Sequence, residues 1–158
     1  MIILPQISWY KSPSQIARVM TEMWTRDNIF CPNCWAWVGE YENNRKVADF
    51  YCENCSEDFE LKSAKKNTVG NKIVDGAYHT MIERLGESQN PNFFFLNYTP
   101  RYVVKNFIII PKHFFVPSII EKRNPLPPTA RRAGWIGCNI LLKTIPESGK
   151  IYYIENGK

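Results

Sequence analysis

The chain has 158 residues, of which 44% are apolar and 14% aromatic, enough for one hydrophobic core. No apolar run reaches transmembrane length, and no hydrophobic signal segment follows Met1-Ile2-Ile3-Leu4-Pro5, so a membrane span is excluded and a cytoplasmic, reducing setting is expected. The net charge of +5 is unevenly placed: residues 1–100 carry 10 Lys/Arg against 12 Asp/Glu, and residues 101–158 carry 10 against 3. A basic C-terminal third suits a polyanionic partner, although a merely solvated basic face is about as common.

Ser12-Pro13 sets an N-cap residue before a proline suited to the first helical position. Ile16, Val19, Met20 and Met23 then recur at helical spacing, which predicts an amphipathic helix over 13–27. Next comes Cys31-x2-Cys34-x17-Cys52-x2-Cys55, with turn residues Pro32-Asn33 and Glu53-Asn54 inside the two pairs. Each pair can form a knuckle whose sulfurs point at one ion, and two knuckles complete a tetrahedral zinc site. A four-thiolate ion has no open coordination position, so its expected role is structural. Two disulfides are the alternative, and they need an oxidising compartment that nothing in the opening residues supports. The spacer suits a short pair of strands within 30–56, one of them running from Val47 to Cys52. Cys138 lies far from the quartet and reads as a small apolar residue.

Residues 57–63 alternate, predicting a strand with Phe59 and Leu61 in the core and Glu60 and Lys62 together on the other face. Asp49, on the preceding strand, reaches the same point if the two strands pair. Two carboxylates, with the main-chain carbonyl of Leu61, offer hard oxygen ligands for Mg2+. Lys62 is then placed to orient or deprotonate an attacking water and to neutralise charge in the transition state. Taken alone, Asp49-x10-Glu60-x-Lys62 is a weak signal, because alternating charges on an exposed strand are common.

Lys65 to Asn71 reads as a polar loop, and 72–86 as a helix with Ile73, Ala77, Met81 and Leu85 on one face. Asn92–Tyr98 and Tyr102–Ile110 are aromatic and β-branched runs joined around Thr99-Pro100, a hairpin pattern. Asn124 to Thr129 is a stiff proline-rich loop, and short strands are expected near 135–142 and 150–154. Helix, strands, helix and more strands give an α/β or α+β domain. His79 and His113 are isolated and read as ordinary surface or core residues.

Longer stretches carry a resemblance. Glu42 to Cys52, Phe59 to Ser63, Asp75 to Tyr78, Asn90 to Leu96 and Pro128 to Ile140 resemble the catalytic domain of DpnI-like type II restriction endonucleases. The likeness runs from the first helix to Tyr152. It implies a PD-(D/E)XK restriction-endonuclease-like core: a mixed central sheet flanked by helices, with a four-cysteine zinc-ribbon-like insertion. It also implies one catalytic domain over 1–158, a zinc-binding segment at 30–56, and Mg2+-dependent cleavage of double-stranded GATC that carries N6-methyladenine. By this resemblance Asp49 and Glu60 fall on the metal-binding acids, Lys62 on the catalytic lysine, and Cys31, Cys34, Cys52 and Cys55 on the zinc ligands. Ala48 stands where the family's proline is usual.

DpnI-like enzymes continue into a C-terminal winged-helix domain that this chain does not include, so methyl specificity is expected to be weaker than the chemistry. Arg131, Arg132 and Trp135 are the expected DNA readers: arginine offers paired donors to guanine or phosphate, and tryptophan a flat apolar surface for a methyl group. Lys65 and Lys66 are expected phosphate contacts. A core tryptophan beside a solvated basic turn is the plainer alternative. At the level of function, the alternatives are a zinc-ribbon DNA-binding module whose nuclease residues are idle, and a nuclease without methyl preference.

Overall fold

The computed structural model describes residues 1–42, 48–88 and 90–158, so Val47, where one predicted strand begins, lies outside the described residues. The elements run α1 (Pro13–Asn28), β1 (Gly39–Glu40), β2 (Phe50–Tyr51), β3 (Asp58–Lys65), β4 (Lys72–Ala77) and α2 (Tyr78–Leu85). They continue with β5 (Asn92–Tyr98), β6 (Val104–Ile110), β7 (Ile120–Lys122), β8 (Gly137–Leu141) and β9 (Ile151–Ile154), with short 3-10 turns between. The result is a mixed α/β structure in two compact units, one made of Met1–Val69, Pro91–Ile110 and Ile151–Lys158, the other of Gly70–Asn90 and Pro111–Lys150.

The first unit is built on a six-stranded sheet of order β1-β2-β3-β5-β6-β9. β3 and β5 run parallel, from Phe59 opposite Asn92 to Lys65 opposite Tyr98, and every other neighbour in the sheet is antiparallel. All seven residues of β5 are buried, which explains its unbroken Phe93-Phe94-Phe95-Leu96 run: a strand buried on both faces has no polar alternation. One face carries the core, with Phe59 and Phe94 stacked at 4.6 Å and Phe50 and Phe107 beside them. α1 lays Met20 and Trp24 into that core, and the Trp24 ring sits 5.8 Å from Phe107. Ser12 precedes the helix as expected, but its hydroxyl makes no capping bond and instead meets the Ser14 hydroxyl.

The second unit holds a three-stranded antiparallel sheet of order β4-β8-β7, with α2 against β4 and β8. Here the expected helix over 72–86 is corrected: its first six residues are β4, and only Tyr78–Leu85 is helical. Ile73 and Ala77 are four residues apart, a spacing that puts them on one face of a helix and equally of a strand. The β-branched Ile73-Val74 pair and Gly76 only weakly disfavour helix, and pairing to β8 settles the segment as a strand.

Candidate functional site

Cys31, Cys34, Cys52 and Cys55 bring their sulfurs within 4.8 Å of one another, with Cys31 3.5 Å from Cys55 and Cys34 3.4 Å from Cys52. A tetrahedron of Zn–S bonds of about 2.3 Å has sulfurs about 3.8 Å apart, so the quartet fits a zinc ion and is too wide for disulfides. The two knuckles repeat one local geometry. Trp35 donates its N–H to the Cys31 carbonyl at 2.8 Å, and Ser56 donates to that of Cys52 at 2.9 Å. Both residues lie at positive φ, 65° and 60°, a conformation rare for non-glycine residues and here repeated at the equivalent point of each pair. The thiols are differently poised: burial pushes Cys31 up to about 12, whereas the Ala36 N–H and the Asn54 side chain draw Cys34 down to about 6. Among the described residues this quartet is the one tight group of three or more side-chain metal ligands.

The second knuckle is also the turn between β2 and β3. The Cys52 N–H bonds the Glu57 carbonyl at 2.8 Å and closes that turn. Asn92 then ties it to β5, donating to the Glu57 carboxylate at 2.7 Å and the Asp58 carbonyl at 3.1 Å. With the turn closed, β2 pairs with β3, Phe50 opposite Phe59. Asp49 sits just before β2, donating its N–H to the Phe59 carbonyl, and its Oδ2 accepts the Leu61 N–H at 2.7 Å. On either side of Leu61, Glu60 and Lys62 share a face of β3 and form an ion pair at 2.7 Å, with side chains only 13% and 23% exposed. Leu61 packs toward the core and Phe59 is fully buried. The structure therefore gathers Asp49, Glu60, Lys62 and the Leu61 backbone around one point of β3. Every ligand atom this group could offer a metal is oxygen, which suits a hard divalent cation.

Sequence reasoning missed Glu22. It occupies the buried side of α1, 9% exposed, with Arg18 Nη1 at 3.6 Å. Burial raises its carboxyl to about 7, Arg18 opposes the rise, and the charges of Asp49 and Glu40 add to it. The sequence signal was a charged residue inside the run Met20-Thr21-Glu22-Met23-Trp24, where α1 turns inward.

The remaining expected site residues fall in separate places. Lys65 ends β3 exposed, its ammonium 4.8 Å above the Tyr102 ring, and Lys66 follows it, also exposed. Both belong to the first unit. In the second unit, Arg131 and Arg132 are exposed in a turn that ends with Gly134 at φ +79°. Trp135 is half-buried, with the Arg132 guanidinium 4.5 Å and that of Arg123 5.7 Å from its ring centre. Cys138 is fully buried in β8. No helix among the described residues is long and apolar enough to cross a membrane.

A family model described as DpnI, Dam-replacing family, matches residues 4–158, essentially the whole chain. The protein belongs to this family. Membership implies a restriction endonuclease, and therefore DNA as its partner.

Proposed function

We propose that the protein is a Mg2+-dependent endonuclease of the PD-(D/E)XK type that cuts double-stranded GATC carrying N6-methyladenine. The observation that carries this reading is the bond from Leu61 N–H to Asp49 Oδ2, which fixes a carboxylate beside the Glu60–Lys62 pair. Asp49, Glu60 and the Leu61 carbonyl would hold the ion. A divalent cation bound there supplies activation of a water nucleophile and offsets charge on the pentacovalent phosphate. Lys62 contributes a cation at the same point, held by Glu60, where it can orient the attacking water and stabilise developing negative charge.

Zinc in this reading is structural. It would lock the two knuckles, one of which sets the β2–β3 register and thereby the position of Asp49. Arg131, Arg132 and Trp135 would read the duplex, with Lys65 and Lys66 on phosphates. All of this would occupy one catalytic domain spanning 1–158 in a cytoplasmic protein. The test is digestion of adenine-methylated and unmethylated GATC plasmids with excess protein, with and without Mg2+. Cutting of the methylated plasmid that requires Mg2+ supports the reading; equal cutting of both leaves a nuclease without methyl preference. No cutting of either, by zinc-loaded protein that binds DNA, would instead make it a zinc-bearing binding module.

A further inference from the structure

At the closed end of the β5–β6 hairpin lies a cleft of about 570 Å³, entirely within the first unit. Four chain segments line it: Met1, Asn67 beyond the end of β3, residues between Thr99 and Lys105 at the hairpin turn, and Asn156-Gly157 after β9. Arg101 and Lys105 are among the lining residues, and no carboxylate is. Several cations elsewhere are neutralised: Lys62 pairs with Glu60, Lys72 with Glu121, Lys150 with Glu147, and Arg26 with Asp27 and Glu40. Among the described residues neither the Arg101 guanidinium nor the Lys105 ammonium has an ion-pair partner. Two cations without ion-pair partners, beside the Asn67 and Asn156 amides in a cleft otherwise walled by Met1, Pro100 and Val103, make a site for an anion.

The cleft is also held in shape by a buried polar relay. Asn97 is fully buried and donates to the Lys66 carbonyl at 2.8 Å, which fixes the chain just before Asn67. Its Oδ1 accepts from Asn106 Nδ2 at 2.7 Å, and Asn106 Oδ1 accepts the Asn156 N–H at 3.0 Å. Gly157 N–H bonds the Lys105 carbonyl at 2.7 Å. At the turn, the Thr99 hydroxyl accepts the N–H groups of Arg101 and Val103, both at 3.2 Å. Two buried asparagines thus join three of the four lining segments. A hydrophobic pair would fill the same volume without this connection, and a rigid frame of this kind lowers the ordering cost of binding.

We propose that this cleft is a phosphate-binding subsite in which Arg101 and Lys105 grip the DNA backbone to one side of the cleavage point. The inference rests on the nuclease reading above. Along β3, Lys65 is three residues past Lys62, about 10 Å at strand rise and on the other face of the strand. The Lys65 ammonium, 4.8 Å above the Tyr102 ring, adds a cation beside the hairpin turn. A backbone grip of this kind adds affinity without reading sequence.

Binding of the full chain to a short methylated GATC duplex, measured by fluorescence anisotropy across a salt series, tests the subsite. Arg101→Gln alone alters an exposed side chain and leaves the relay intact; Arg101→Gln with Lys105→Gln removes both cations. The double variant should bind about tenfold or more weakly at a fixed salt concentration. Its slope of log K against log salt should flatten by about 2, the single variant's by about 1, and equally for methylated and unmethylated duplexes. Any loss of cleavage should appear in KM more than in kcat. An unaltered slope and affinity in folded variants, with wild-type protein binding DNA, overturns the subsite and leaves the nuclease reading standing. Loss of inorganic phosphate binding with no change in the DNA slope would mark a small-anion site and also overturn it. Failure of the wild-type protein to bind any duplex would overturn both.

Discussion

Asp49 Oδ2 accepts the main-chain N–H of Leu61 at 2.7 Å, so a side chain at the start of one strand is fixed to the backbone of the next. Two features of the chain meet in that bond. Antiparallel pairing of β2 with β3 brings the two residues together, and the Cys52–Cys55 knuckle is the turn that makes the pairing possible. Position at this site thus depends on the zinc-type cluster as well as on the carboxylates themselves.

Asp49→Asn and Lys62→Met should each lower DNA cleavage by about 10²–10⁴-fold while leaving the fold intact. Asparagine keeps an oxygen to accept the Leu61 N–H, so the change removes charge and not position. Binding to DNA should be unchanged or slightly tighter for Asp49→Asn, since one repulsion of phosphate is lost. Cleavage assays alongside anisotropy would check both; wild-type cutting by either variant means that the reaction centre lies elsewhere.

Metal analysis of gently purified protein should find one zinc per chain. Cys52→Ser should destabilise the fold by several kcal/mol, because binding of a structural zinc contributes on the order of 10 kcal/mol. The same variant should lose cleavage even where it remains folded, since the turn that seats Asp49 opens. Protein that carries no stoichiometric zinc, or a Cys52→Ser variant as stable as wild type, contradicts this.

Much of this arrangement was legible in the residues. Strand alternation placed Glu60 and Lys62 on one face, and the hairpin of β5 and β6 followed from two apolar runs around Thr99-Pro100. The cysteine spacing foretold the cluster because knuckle geometry is local. What could not be read depends on partners distant in sequence. Ile73 and Ala77 satisfied two periodicities at once, and only pairing with β8 decided between them. Asn97 and Asn106 are each single polar residues in apolar strands, and their relay exists only once the register of β5 and β6 sets them side by side. Glu22 was hidden for the same reason, as its neighbours Asp49 and Glu40 are distant from it in sequence.

Glu22 makes a stability prediction with a definite sign. Its carboxyl, raised by burial from 4.5 to about 7, holds its proton in the folded state after the unfolded chain has released it. The stability this contributes is fully present below about pH 4.5 and is lost as pH rises through 7. Glu22→Gln should therefore be more stable than wild type at pH 8, by as much as about 3 kcal/mol, with little difference at pH 4.5. Thermal or urea melts in Mg2+-free buffer at the two pH values would show it. A constant difference between the proteins across that range would mean that Glu22 is ionised throughout.

Methyl readout, finally, should pass in part through Trp135. The guanidiniums of Arg132 and Arg123 lie 4.5 and 5.7 Å from its ring centre, so an aromatic surface stands beside cations that can hold phosphate or guanine. One methyl group buries little area, so its contact with the ring contributes only about 1 kcal/mol, under tenfold in rate. Strong selectivity then requires both adenine methyls of the palindrome to be sensed together, or a further domain. Trp135→Ala should narrow the rate ratio between methylated and unmethylated GATC, chiefly by slowing the methylated substrate. Arg132→Ala, in contrast, removes a cation and not the surface, so it should weaken both substrates alike and leave the ratio standing. If the ratio is unmoved in a folded, active Trp135→Ala protein, the tryptophan serves packing alone and the methyl is recognised elsewhere.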